Sequence, residues 1–144
     1  MKIGVLALQG DFREHINILK KLKLTPIEVR TKEELDSVKG LIIPGGESTT
    51  IGKLLKKYKL DKEIKRKHKE GMPIYGTCAG AILLAKEIIN SEQHKLNLVD
   101  ISIERNAYGR QIDSFEEKIR LPNSKKLFNA IFIRAPRIKD FYPG

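Results

Sequence analysis

The sequence predicts an α/β fold, a doubly wound, mostly parallel sheet flanked by helices, on three observations. Short, nearly continuous apolar runs read as strands buried on both faces. Segments with apolar residues at helical spacing alternate with them. Glycine-containing turns follow the runs, where strands of such a sheet hand over to helices and ligands bind. Lys2 to Leu8 (KIGVLAL) is the first strand. After Gln9-Gly10, Phe12, Ile16, Leu19 and Leu22 take up helical spacing, with Asp11 placed as N-cap. Pro26 to Arg30 forms a second strand, Thr31 to Asp36 a short helical turn, and Gly40 to Ile43 a third buried strand ending at Pro44-Gly45-Gly46. Another helix starts near Ser48. Met72 to Tyr75 gives the fourth strand, which runs into a turn at Cys78 and a helix from Ala81 to Ile89. Past Asn90 the pattern turns extended, with strands at Leu98 to Glu104, Ser114 to Leu121 and Leu127 to Arg134, some half exposed. The closing Phe141-Tyr142-Pro143-Gly144 reads as loop. No repeat, low-complexity tract or linker divides the chain, so residues 1–144 are expected to form one domain.

Composition narrows the function classes. The chain carries 28 Lys and Arg against 18 Asp and Glu, a formal charge of +10, which raises nucleic acid or an anionic metabolite as partners. Much of that charge lies between Lys53 and Lys69, where Leu54, Leu55, Tyr58, Leu60 and Ile64 recur at roughly helical intervals. The lysines therefore form the outward, solvated face of one or two amphipathic helices. Tyr58 aside, no aromatic side chains are interleaved to stack bases, so no nucleic-acid partner is expected. A single cysteine excludes an internal disulfide, and no signal peptide or membrane-spanning stretch is found, so a cytoplasmic protein without membrane attachment is expected. No Cys, His and carboxylate cluster has metal-ligand spacing, and no cofactor is expected.

The most informative stretch is Gly76-Thr77-Cys78-Ala79-Gly80. A G-x-[SC]-x-G strand-to-helix turn lifts its central side chain clear of the sheet, beside unpaired backbone N–H groups. A thiol at a helix N-terminus is favoured as thiolate, the attacking species, so acyl transfer through a thioester is the leading reaction class. The bland alternative is a small buried apolar cysteine. Gly45-Gly46, after a buried strand, can aim N–H groups into the same crevice, and the Ala79 N–H follows the nucleophile; together they are candidates for an oxyanion hole, or Gly45-Gly46 is a plain turn. Arg105 and Arg134 each end a predicted strand, where a forked guanidinium grips a carboxylate or serves as a surface charge. The proton-shuttling base is harder to place, because His15, His68 and His94 each lie in a segment that suggests another role.

These residues are specific enough to carry a resemblance. Ile3 to Gly10, Glu14-His15, Leu41 to Thr50, Gly76 to Gly80, Glu104 to Glu116 and Phe132 to Pro136 together resemble the glutaminase subunits of pyridoxal 5′-phosphate synthase, within the class I glutamine amidotransferases. The resemblance implies that L-glutamine is hydrolysed to glutamate and ammonia by Cys78, and that ammonia passes to a pyridoxal phosphate (vitamin B6) synthase subunit in a hetero-oligomer. It implies substrate contacts from Gly46, Glu47, Ser48, Arg105, Ile133 and Arg134, and an oxyanion hole from the backbone of Gly46 and Ala79. It also places His15, the first helix and the Gln9-Gly10 loop at or near the interface with the synthase.

One departure from the family accompanies the match. The family's catalytic histidine and supporting glutamate lie in a Ser-Phe-His-Pro-Glu type segment downstream of the Phe-Ile-Arg-Ala-Pro motif, followed by a final helix, and the 144 residues contain neither. The expectation is a domain incomplete at its C-terminus. The alternative function is then a catalytically inactive subunit that serves as a binding module for the synthase.

Overall fold

The first apolar run forms β1 (Lys2–Leu6) in the computed structural model of the chain, which describes residues 1–105, 115–120, 127–132 and 136–141. It is followed by α1 (Phe12–Lys21), β2 (Thr25–Val29), α2 (Lys32–Asp36), β3 (Gly40–Ile43), α3 (Ser48–Lys57), α4 (Leu60–Lys69), β4 (Ile74–Gly76) and α5 (Ala79–Leu84). β1 lies between β2 and β3, and the sheet runs β2-β1-β3-β4 with every pairing parallel. Alternation along β1 divides the core. Val5 packs with Ile16 and Leu19 of α1 on one face, while Leu6 joins Leu35, Leu55, Ile64 and Leu83 of the other helices on the opposite face. Helices on both faces of a parallel sheet make the fold doubly wound, as expected. Strand order reverses at β1 and β3, so their carboxyl ends frame a crevice.

Local chemistry sets the helix boundaries. Thr31 Oγ1 accepts from the Glu34 N–H at 3.2 Å and the Glu34 carboxylate accepts from the Arg30 N–H at 3.0 Å, a reciprocal cap that fixes α2. Asp11, expected as the cap of α1, makes no side-chain cap bond; its N–H instead donates to the Gly45 carbonyl at 2.9 Å. The lysine-rich stretch is two helices, because Lys59 takes a left-handed conformation (φ 59°) between α3 and α4. Ile51, Leu55, Leu60 and Ile64 are buried and Lys53, Lys56, Lys62 and Lys65 exposed, the amphipathic pattern expected, although Tyr58 faces solvent. Arg66 on this face is engaged by Asp36, Glu63 and Glu70, which raises its pKa and lowers that of Asp36.

Two expectations are corrected. The helix expected from Ala81 to Ile89 stops at Leu84, and Ala85–Ile88 is a strand, β5. It pairs parallel with β6 (Val99–Glu104), burying Ala85 and Ile88 and exposing Lys86 and Glu87. Long-range pairing overrides a local pattern that reads equally well as helix. The segment before the expected terminal loop forms β9 (Arg137–Phe141), antiparallel to β6, so Phe141 belongs to a strand. β7 (Phe115–Arg120) and β8 (Leu127–Phe132) pair as an antiparallel hairpin inside the extended segments expected there. β1 ends before Ala7, and β4 begins two residues later than expected. Among the described residues no helix is long and apolar enough to cross a membrane.

Candidate functional site

Cys78 sits just beyond β4 with φ 50° and ψ −109°, a conformation that costs a non-glycine residue about 1–3 kcal/mol. Hydrogen bonds on both sides impose it. The Thr77 N–H donates to the Ile43 carbonyl at 3.1 Å, the Gly80 N–H to the Thr77 carbonyl at 2.8 Å, and the Ile82 N–H to the Cys78 carbonyl at 3.1 Å. The flanking glycines are required by space. A Cβ at Gly80 would fall 2.0 Å from the Ile43 carbonyl oxygen, and one at Gly76 would fall 2.6 Å from the Gly80 carbonyl carbon. Strand, turn and helix thus meet closely enough to push the exposed Cys78 side chain outward, as a nucleophile elbow does.

The loops after β1, β3 and β4 converge here, as the sequence predicts. The Gln9 side-chain carbonyl accepts from the Glu47 N–H at 2.9 Å, and a Cβ at Gly45 would lie 3.4 Å from the Cβ of Cys78. Gly46, Glu47, Ser48, Cys78, Ala79 and Arg105, with Ile82 and Pro136, line one cavity of about 290 Å³.

Glu47 caps α3. Its carboxylate accepts from the Thr50 N–H and hydroxyl, each at 2.7 Å, and from the Thr49 N–H at 3.2 Å. Burial by itself would raise its pKa, but the bonds from Thr50 and Thr49 outweigh it and hold the carboxyl below its ordinary value. Arg105, at the end of β6, reaches across to it, with Nη2 3.3 Å from Glu47 Oε1.

A residue that sequence reasoning missed holds the other side of Arg105. Gln93 Oε1 accepts from Arg105 Nη1 at 2.6 Å and lies 3.3 Å from Ser48 Oγ and 3.4 Å from Thr49 Oγ1. A glutamine in a polar connection carries no periodic or motif signal, so only the fold reveals it.

The histidines fall elsewhere. His15 Nε2 is 3.2 Å from Thr77 Oγ1, supporting the elbow through the neighbour of Cys78. His94 Nε2 lies 3.0 Å from Asp61 Oδ2, at ion-pair distance though without hydrogen-bond alignment, and His68 is exposed on α4. Among the described residues no imidazole is hydrogen-bonded to Cys78. Ile133 and Arg134 lie outside the described residues.

Known proteins match this arrangement along nearly its whole length. The pyridoxal 5′-phosphate synthase subunit PdxT of Thermosipho africanus is 57% identical over 141 residues, 98% of this chain and 75% of the relative. The subunit of the same name from Pseudothermotoga lettingae is 54% identical over 145 residues, all of this chain and 74% of its own length. A crystal structure of a glutamine amidotransferase superposes with a TM-score of 0.87 at 50% identity, covering 99% of this chain and 76% of that one. A family model, that of the SNO glutamine amidotransferases, matches residues 5–143. On a match that takes in the crevice, the elbow and Arg105 alike, the chain belongs to the SNO glutamine amidotransferase family.

Proposed function

We propose that the chain is the glutamine-hydrolysing subunit of a pyridoxal 5′-phosphate synthase, working in the cytoplasm. The observation that carries this reading is the placement of the strained, exposed Cys78 on the same cavity as Gly46, Glu47, Ser48 and Arg105. The Cys78 thiolate attacks the side-chain amide carbon of L-glutamine, and the oxyanion that forms is met by the N–H groups of Gly46 and Ala79. Collapse breaks the C–N bond and releases ammonia, leaving a thioester that water cleaves to glutamate and the free thiol. Arg105 and Arg134 take the substrate's carboxylate in forked hydrogen bonds, with Glu47, Ser48 and Ile133 completing the pocket. In the family the proton carrier is the histidine of a downstream Ser-Phe-His-Pro-Glu type segment, which the 144 residues do not contain. Ammonia then passes to the synthase subunit in a hetero-oligomer. Relatives bearing the synthase-subunit name above 50% identity support the assignment.

The second reading, a binding module without turnover, is favoured by one observation: among the described residues no imidazole is hydrogen-bonded to Cys78. Ammonia release from L-glutamine, measured with the chain mixed with a synthase subunit, separates the two. The glutaminase reading expects release that Cys78→Ala abolishes while complex formation persists. Complex formation with no ammonia from either protein establishes the binding module instead.

A further inference from the structure

We propose that Gln93 is a positioning residue of the glutamine pocket, whose side-chain carbonyl aims the Arg105 guanidinium without neutralising it. The inference rests on the glutaminase reading above and deepens it. Three donors converge on Gln93 Oε1: Arg105 Nη1 at 2.6 Å, Ser48 Oγ at 3.3 Å and Thr49 Oγ1 at 3.4 Å. Turning the amide over would set an NH2 group against the Arg105 guanidinium, which has no acceptor to offer, so the carbonyl must face it, whereas the two hydroxyls could accept as well as donate. That orientation leaves Nε2 buried with no partner among the described residues. An unmet buried donor costs stability, and the orientation persists against that cost because the contact with Arg105 dictates it.

The position of Gln93 is fixed from outside its own loop. The next residue, His94, lies against Asp61 at the start of α4, and its carbonyl packs so near Gly52 of α3 that a Cβ there would be 3.0 Å away. Farther on, the Leu96 N–H donates to the Leu83 carbonyl at 2.6 Å, and the Leu98 N–H to that of Leu84 at 2.9 Å. α3, α4 and α5 thus hold the segment, and the amide meets Arg105 preorganised.

The neutrality of the amide matters as much as its place. Arg105 already has one acidic neighbour, Glu47, at 3.3 Å and half exposed. A second carboxylate at 2.6 Å would compete with a substrate carboxylate for the same guanidinium, whereas a carbonyl orients the fork and leaves its charge available.

Two variants test this in the 144-residue chain carrying Cys78→Ala, with L-glutamine binding measured by calorimetry and folding by thermal melting. Gln93→Met removes the acceptor, and Gln93→Glu keeps an oxygen for all three donors but adds a charge. A purely structural role is satisfied by Gln93→Glu; positioning without neutralisation is not. The expected result is that Gln93→Glu melts no lower than the parent yet binds L-glutamine about tenfold or more weakly, and that Gln93→Met, where folded, is weakened similarly. Parent-like affinity in Gln93→Glu overturns the inference and leaves the glutaminase reading standing. A folded parent that binds no L-glutamine overturns both.

Discussion

Replacing Cys78 should make the protein more stable, but only if glycine replaces it. Cys78 holds φ 50° and ψ −109°, which costs a residue with a Cβ about 1–3 kcal/mol. Cys78→Gly removes that cost and adds the backbone entropy of glycine, about 0.5–1 kcal/mol. Little packing is lost, because the side chain is exposed. The balance favours the variant by about 1 kcal/mol, a rise in Tm of about 2–4 °C for a domain of this size. Cys78→Ala is the control: it keeps the Cβ and the strain, so its Tm should stay within about 1 °C of the parent, since only an exposed thiol is lost. Thermal unfolding followed by circular dichroism under reducing conditions reads both at once. A glycine variant that melts at or below the alanine variant would show that the elbow stores no strain, and the reasoning would fail.

Other expectations follow from the same geometry. Gly80→Ala sets a methyl group 2.0 Å from the Ile43 carbonyl oxygen, where backbone rather than a pliable side chain must move. A loss of about 3 kcal/mol or more is expected in urea unfolding, and an unchanged midpoint would refute the contact. Glu47, with its pKa depressed in the fold from an ordinary value of 4.5, stabilises the protein above that pH and loses its contribution as pH falls through the depressed value. Glu47→Gln should therefore cost about 0.5–1 kcal/mol at pH 7, the low end for a half-exposed cap, and flatten the fall in stability below pH 4.5; parallel acid curves for the two proteins would contradict this.

What the sequence discloses follows from how local each signal is. β3 and the alternation of β1, α1, β2 and α2 are legible because each apolar run or helical period is complete within its own segment, and turn residues mark its ends. The elbow is legible for the same reason: Gly76, Cys78 and Gly80 carry its steric demand within five residues. β5 is not, since Ala85 and Ile88 are buried by pairing with β6, and nothing nearer than Val99 signals that partner. Gln93 and the contact of His94 with Asp61 are hidden likewise, because segments far apart in sequence create them. Asp11 shows the reverse case, where a good local cap residue is overruled: its N–H is drawn to Gly45 and its side chain does not cap.

The central place of β1 also sets a timetable for synthesis. Ile3 pairs with Pro26 on one side and with Gly40 on the other, so this apolar strand is made before either neighbour. Translation at about 5–20 residues per second leaves its second edge open for about 2–8 s until β3 has been made. During that interval Val5 and Leu6, both almost fully buried in the finished protein, face whatever else is at hand. Nascent chains at that stage are the natural clients of a holding chaperone, and overexpression that outruns it should send this protein into inclusion bodies before any defect of the mature fold would.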